Sequence, residues 1–243
     1  MRDPGGAVRP RLIGVGVGPG DAGLLTERGR QAIGTAPLIF TPVRRVGEAS
    51  LAAGIVRAHL DDTRQHVVSV PFPRPDHGET WESTASEILP RLRSVGRAVF
   101  LTEGDPGLFS TFADVARALR TAGPDVEIEI VPGVSSISAA AARAGIDLAN
   151  EGESIAILPA GPRLADISSA LATFDTVVLM KVGPVLPRVI EQIDGAGRLE
   201  EAVYVRRCGM EGEAIVTDLG RADVADMRDY FSIVLVRRGG SAW

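Results

Sequence analysis

Residues 14–21, Gly14-Val15-Gly16-Val17-Gly18-Pro19-Gly20-Asp21, decide how the chain is to be read. They follow the apolar pair Leu12-Ile13 and lead into the helical stretch LLTERGRQAI, so the glycines occupy a strand-to-helix turn. Gly18, Gly20 and Gly23 match the G-x-G-x-x-G spacing of dinucleotide-binding loops. That reading also needs an acid about 20 positions on, after the second strand, to hold ribose hydroxyls. Here Leu38-Ile39-Phe40 passes into Thr41-Pro42-Val43, and no Asp or Glu follows until Glu48. Pro19 has no N–H to donate, and the charge of Asp21 opposes a pyrophosphate at the same helix start. No G-K-[ST] follows either. The competing reading is a plain tight turn with Asp21 capping the helix.

Outward from this turn the chain alternates strands and helices. Strands are predicted at Arg11–Gly16, Pro37–Phe40, Gln65–Val70, Ala98–Leu101 and Val126–Val131. Helices fall between them at Gly23–Gly34, Glu48–Leu60, Glu79–Leu92 and Ser110–Thr121. This order predicts an α/β fold with a largely parallel sheet covered on both faces. A helix at Ser135–Ala144 opens a second series, with strands at Ser154–Leu158, Thr176–Met180, Ala202–Arg206, Ala214–Val216 and Phe231–Val236. Helices are expected there at Leu164–Ala172 and Val185–Asp194. Three strands in succession at its end predict a mixed sheet. The organisation expected is a loose tail over 1–10 and two α/β domains, 11–124 and 125–243, divided at Pro124-Asp125.

The composition is that of a globular protein: 243 residues, 45% apolar and 23% charged. A net charge of −5 argues against a broad nucleic-acid-binding surface but leaves room for a local basic pocket. Cys208 is the only cysteine, which excludes an intrachain disulfide and fits a reducing cytoplasm. No apolar run is long enough for a membrane span, and MRDPGGAVRP lacks the apolar core of a signal peptide.

Three further strand ends lead into loops of small, turn-forming residues: TEGDPGLF after Leu101, PGVSSISAAAA after Val131 and KVGP after Met180. Ligands of open α/β sheets bind outside the carboxyl ends of strands, and four such loops argue for a site built on backbone groups. Asp105 also reads as a helix cap, as do Ser135 and Ser136, and Lys181 as a solvated charge. His59, His66 and His77 are scattered, and no metal cage or nucleophilic triad is legible. Few ionisable groups in such loops suit a reaction whose reactivity resides in a cofactor.

Taken in order, VGVGPGDAGLLT, EGDPGLFSTF and VPGVSSISAAAA resemble the tetrapyrrole (corrin/porphyrin) methylase family, S-adenosylmethionine-dependent C-methyltransferases. The resemblance runs from Leu12 to Val236, and VVLMKVGPVLPRVI, YVRRCGMEGEAIV and DYFSIVLV narrow it to the branch that methylates C-20 of the macrocycle. It implies two α/β domains with cofactor and substrate between them, and a homodimer. It implies cofactor contacts at Glu103, Gly104, Asp105, Leu108, Ser135, Ser136, Met180, Cys208 and Gly209, with Pro19 on the substrate side. Relatives acting on uroporphyrinogen III commonly carry an Asp just after the second strand; this chain has Thr41-Pro42 there, a departure that argues against that substrate and fits the C-20 branch better.

The implied reaction joins a ring carbon to the sulfonium methyl of S-adenosylmethionine, after which a group must take the proton from that carbon. Glu103 is the candidate by type and position. The substrate of such an enzyme bears carboxylates, for which Arg44, Arg45, Arg74, Lys181, Arg206 and Arg207, all following strand ends, are the candidate partners. Whether the ring carries cobalt is open at this stage, as are another ring methylation and a nucleotide-binding regulatory module without turnover.

Overall fold

The computed structural model describes residues 9–161, 167–223 and 227–239. The chain divides into two compact units, the first ending at Ser135 and the second beginning at Ser136.

The first unit is built on five strands, β1 (Arg11–Gly16), β2 (Leu38–Val43), β3 (His66–Pro71), β4 (Arg97–Thr102) and β5 (Glu127–Val131). All pair in parallel, in the order β3-β2-β4-β1-β5. Alternation along the strands sends Ile13, Val15, Ile39, Val99 and Leu101 to one face. There they pack on Ala32 and Ile33 of α1 (Glu27–Thr35) and on Ala52 and Ile55 of α2 (Leu51–Ile55). The opposite face presents Leu12, Phe40, Ala98 and Phe100 to α3 (Trp81–Val95) and α4 (Phe112–Ala122). Gly14 is required here: a Cβ on it would lie 2.3 Å from the Phe112 ring, which covers that stretch of β1.

The connection leaving β1 crosses one face through α1 to β2, and the connection leaving β4 crosses the other through α4 to β5. The neighbours β1 and β4 therefore send their chains in opposite directions. Their carboxyl ends mark the switch point at which open α/β sheets bind ligands.

The second unit runs α5 (Ser136–Ala144), β6 (Ile155–Pro159), α6 (Ser168–Thr173), β7 (Thr176–Met180), α7 (Leu186–Gly195), β8 (Ala202–Arg206), β9 (Ala214–Val216) and β10 (Ser232–Arg237). Its sheet has the order β6-β7-β10-β8-β9, with β6 and β7 parallel and the remaining pairs antiparallel, the mixed sheet expected. Its core holds Tyr204, fully buried, whose hydroxyl donates to the Met227 carbonyl. The buried guanidinium of Arg237 is matched by Asp147 at 2.8 Å and Glu153 at 2.9 Å, as a charge removed from water requires.

Several expectations need correction. The division falls after Ser135 and not at Pro124-Asp125, because β5 pairs with β1 and so belongs to the first sheet. The helix predicted from Gly23 begins at Glu27; Ala22–Leu24 form a separate short turn. The helix predicted over Glu48–Leu60 shrinks to α2 and a second short turn at Arg57–His59, the two divided at Val56. β2 continues through Thr41-Pro42 to Val43, so those residues lie within the strand and not after it. The start of the helix predicted over Leu164–Ala172 lies outside the described residues.

Candidate active site

At the switch point the loops that follow β1, β4 and β5 interlock through their backbones. Gly18 N–H donates to the Gly104 carbonyl at 3.3 Å and Gly104 N–H donates to the Gly18 carbonyl at 2.8 Å, forming a small antiparallel bridge. Both residues are left-handed, φ 82° and 66°, which favours glycine. A Cβ on Gly16 would lie 2.5 Å from the Gly104 carbonyl oxygen, and one on Gly133 would lie 2.2 Å from it. Asp105 completes the knot: Oδ2 accepts from Gly133 N–H at 2.9 Å and Oδ1 from Gly107 N–H at 2.7 Å. Beyond it, Ser110 Oγ accepts from Phe112 N–H at 3.1 Å and lies 2.9 Å from the Thr102 hydroxyl, which fixes the start of α4.

This geometry answers the question raised by residues 14–21. Gly18 N–H is engaged by Gly104, and Gly23 N–H by Asp21 Oδ1 at 2.7 Å, so neither is aimed at a phosphate. Asp21 caps the short turn Ala22–Leu24, while Thr26 caps α1 by accepting from Gly29 N–H at 3.1 Å.

In the second unit, β10 is entered between the ends of β7 and β8. Lys181 N–H donates to the Ser232 carbonyl and Arg207 N–H to the Phe231 carbonyl, both at 2.8 Å. Ser232 Oγ accepts from Gly183 N–H at 2.9 Å and donates to the Asp229 carbonyl at 2.5 Å. Asp229 accepts from Phe231 N–H at 2.8 Å and from Arg207 Nε at 2.6 Å. Burial pushes the Asp229 carboxyl up, but the Arg207 bond and the Phe231 N–H outweigh it and hold the group below the ordinary range. Lys181 Nζ lies 5.6 Å from the ring centre of exposed Tyr230.

Phe109 (φ 48°), Lys181 (φ 61°) and Arg207 (φ 49°) are the non-glycine residues with left-handed backbone among those described. All three lie on strand-end loops that carry predicted site residues, where strained backbone concentrates at sites of function.

The structure brings Pro19, Glu103, Gly104, Asp105, Leu108 and Ser135 onto the interlocked loops of the first unit, with Pro19 buried. Met180, Lys181, Arg206, Arg207, Cys208 and Gly209 cluster at one end of the second sheet, and Ser136 is the first residue of α5. Three candidates have polar groups engaged within the protein. Both backbone groups of Gly104 serve the bridge to Gly18, and Asp105 braces two loops. Gly209 N–H is taken by Glu213 Oε2 at 2.6 Å. Of the cations, Arg74 is held by Glu79 at 2.7 Å and Arg207 by Asp229, so each already has a carboxylate partner. Arg44 and Arg45 follow β2, are exposed, and make no ion pair among the described residues. Cys208 is buried, and burial, with the nearby Glu213 charge, pushes its thiol up to about 11.

Sequence reasoning missed Gly16, Gly133, Asp229, Tyr230, Ser232 and Glu213. The contacts that matter most join residues distant in sequence, Gly133 to Asp105, Gly183 to Ser232, Arg207 to Asp229 and Arg143 to Glu213; only the motif glycines gave a local signal. Among the described residues no group of three or more His, Cys, Asp or Glu could hold a metal ion, and no helix is long and apolar enough to cross a membrane.

Residues 11–223 match the family described as Tetrapyrrole (Corrin/Porphyrin) Methylases. The chain is 31% identical to the probable cobalt-precorrin-2 C(20)-methyltransferase of Methanocaldococcus jannaschii, covering 94% of this chain and 96% of that protein. It is 30% identical to the precorrin-2 C(20)-methyltransferase of a Sinorhizobium species, covering 93% and 94%. Among solved structures, cobalt precorrin-4 methyltransferase CbiF superposes with a TM-score of 0.72 at 23% identity, covering 94% and 95%. The uroporphyrin-III C-methyltransferase of Thermus thermophilus, solved with S-adenosyl homocysteine, gives 0.68 at 22% identity, covering 93% and 96%.

Proposed function

The chain belongs to the tetrapyrrole (corrin/porphyrin) methylases, and from that premise we propose that it methylates C-20 of precorrin-2, giving precorrin-3A, in cobalamin biosynthesis. The methyl donor is S-adenosylmethionine. The observation that carries the reading is the knot of Gly16, Gly18, Gly104 and Gly133 at the β1/β4 switch point, on a chain that matches C-20 methyltransferases over nearly its whole length.

The residues present fit this cofactor by their chemistry. Small residues and backbone groups dominate the loops, and buried Met180 adds an apolar strand end. Glu103 and Asp105 put negative charge on these loops, which would suit a cationic sulfonium. When bound, S-adenosylmethionine supplies an electrophilic methyl on a good leaving group. The cofactor contacts proposed are Glu103, Gly104, Asp105, Leu108, Ser135, Ser136, Met180, Cys208 and Gly209. For Gly104, Asp105 and Gly209 the contribution is chiefly to hold the shape of the loops.

Pro19, Arg44, Arg45, Lys181 and Arg206 are proposed to meet the macrocycle, the cations by pairing with its carboxylates. Arg74 and Arg207 act there only if substrate displaces Glu79 and Asp229. Glu103 is proposed to accept the proton released from the methylated carbon. Glu103→Gln is expected to slow methyl transfer well beyond about threefold, and a smaller change removes it from that role. A homodimer in the cytoplasm is proposed on the same family grounds.

Relatives named for cobalt-precorrin-2 and for precorrin-2 match at 31% and 30% identity, so both rings belong in the assay. Turnover with an isotopically labelled methyl donor, read by NMR of the product, tests the regiochemistry. A label on C-20 is expected, and a label on any other carbon refutes the assignment.

A further inference from the structure

We propose that Glu213 is a positioning residue for the cofactor: its carboxylate, braced by Arg143, holds the Cys208-Gly209 turn in the shape that receives S-adenosylmethionine. This rests on the methyltransferase reading above, in which Cys208 and Gly209 contact the cofactor.

The turn joins β8 to β9, whose pairing ends at Arg206 and Ala214. It is wound by left-handed backbone at Arg207 (φ 49°), Gly209 (φ 74°) and Gly212 (φ 79°), so something must hold it in place. Backbone bonds from Met210 N–H to the Arg207 carbonyl (2.8 Å) and from Glu213 N–H to the Met210 carbonyl (3.1 Å) close its two halves. Neither reaches the N–H of Gly209. That donor goes to Glu213 Oε2 at 2.6 Å, a charge-assisted bond.

The rest of the Glu213 carboxylate faces Arg143, whose Nε donates to Oε1 at 2.9 Å and whose Nη2 bonds the same oxygen. Glu213 is largely sheltered, with its side chain 18% exposed, whereas Arg143 is 60% exposed. A carboxylate kept for solubility would face water; this one is turned inward onto a turn. Arg143 lies in the last turn of α5, the helix that opens with Ser136. One ion pair therefore couples the helix carrying Ser136 to the turn carrying Cys208 and Gly209. The thiol of Cys208 is buried beside this pair and serves as neutral packing, so the contribution of the turn is its shape.

The test uses the full chain and compares wild type, Glu213→Ala, Glu213→Gln, Arg143→Ala and the Arg143→Ala/Glu213→Gln double variant. S-adenosylhomocysteine binding is measured by calorimetry, with kcat and both KM values from steady-state methylation. Glu213→Ala is expected to raise the S-adenosylhomocysteine Kd and the S-adenosylmethionine KM about tenfold, with kcat and the ring KM nearly unchanged. Glu213→Gln retains an acceptor for Gly209 N–H but loses the ion pair, so it should recover only part of that loss and leave cofactor affinity about threefold weaker than wild type. Arg143→Ala and the double variant should match Glu213→Gln, because each removes the same ion pair. A purely structural role would instead lower the active fraction and kcat while leaving KM alone.

Wild-type cofactor affinity in Glu213→Ala overturns the proposal, as does an equal loss of ring and cofactor affinity. If Glu213→Ala does not fold, unchanged cofactor affinity in both Glu213→Gln and Arg143→Ala overturns it. Failure of the wild type to bind S-adenosylhomocysteine would overturn the cofactor reading itself, and this proposal with it.

Discussion

Asp105 ties the loop after β4 to the loop after β5: its Oδ2 accepts from Gly133 N–H at 2.9 Å while its Oδ1 accepts from Gly107 N–H at 2.7 Å. Removing the carboxylate leaves two N–H groups to find other partners and releases the loop that leads to Ser135. Asp105→Ala is expected to cost about 1–3 kcal/mol of stability and to weaken S-adenosylhomocysteine binding. Thermal unfolding and calorimetric titration check the two effects separately. Wild-type values in both would show that the tie is dispensable.

Gly133 tests the close approach itself. A Cβ there would lie 2.2 Å from the Gly104 carbonyl oxygen, a backbone atom that cannot rotate away. Gly133→Ala is therefore expected to destabilise by roughly 3 kcal/mol or more, or to prevent soluble expression. Gly34, an exposed position in α1 where an added Cβ would meet nothing within 4 Å, is the control. Gly34→Ala should stabilise by about 0.5–1 kcal/mol, because the backbone there is already helical. Denaturant unfolding of the two variants gives opposite signs if packing, and not glycine loss in general, is what matters.

The arginines divide by their partners. Arg44 and Arg45 make no ion pair among the described residues, whereas Arg74 is engaged with Glu79 at 2.7 Å. Arg44→Ala and Arg45→Ala are each expected to raise the KM for the tetrapyrrole about three- to tenfold, most at low salt, with the S-adenosylmethionine KM unchanged. Arg74→Ala should have little effect on either. Steady-state kinetics at two ionic strengths decide, and an Arg74→Ala effect larger than those at Arg44 and Arg45 would reverse the order.

Glu213 sets a pH dependence with a definite sign. Its bond to Arg143, then that to Gly209 N–H, holds its carboxyl below the ordinary value of 4.5. A lowered pKa contributes stability that is complete above the ordinary value and is lost as pH falls through the lowered one. The stability difference between wild type and Glu213→Gln should be constant near neutrality and shrink as pH falls below 4.5. Urea unfolding from pH 7 down to about pH 3 measures it, and a difference that grows on acidification contradicts the ion pair.

Much of the fold was legible because it is written locally. β1, β7, β8 and β9 coincide with apolar runs bounded by Gly, Pro or charged residues. The start of α1 was missed because Asp21 and Thr26 are both good caps, and only the folded chain assigns Asp21 to the short turn and Thr26 to the helix. The division between units was missed because β5 is claimed by β1, a pairing between segments more than a hundred residues apart. The motif glycines announced the site, but not that Gly16 and Gly133 meet the same carbonyl of Gly104. Asp229 and Ser232 lie in DYFSIVLV and Glu213 in YVRRCGMEGEAIV, but those stretches do not say which backbone groups the three residues hold; that follows from the turns at the ends of β8 and β10.

The most direct test is to incubate the purified protein with S-adenosylmethionine and, in parallel, metal-free precorrin-2, its cobalt complex and uroporphyrinogen III, following product mass and absorbance. The expected result is the gain of one methyl group by a precorrin-2 ring, in one or both metal states, and none by uroporphyrinogen III. No methyl gain on either form of precorrin-2, with S-adenosylhomocysteine bound and the protein folded, would contradict C-20 methylation as its function.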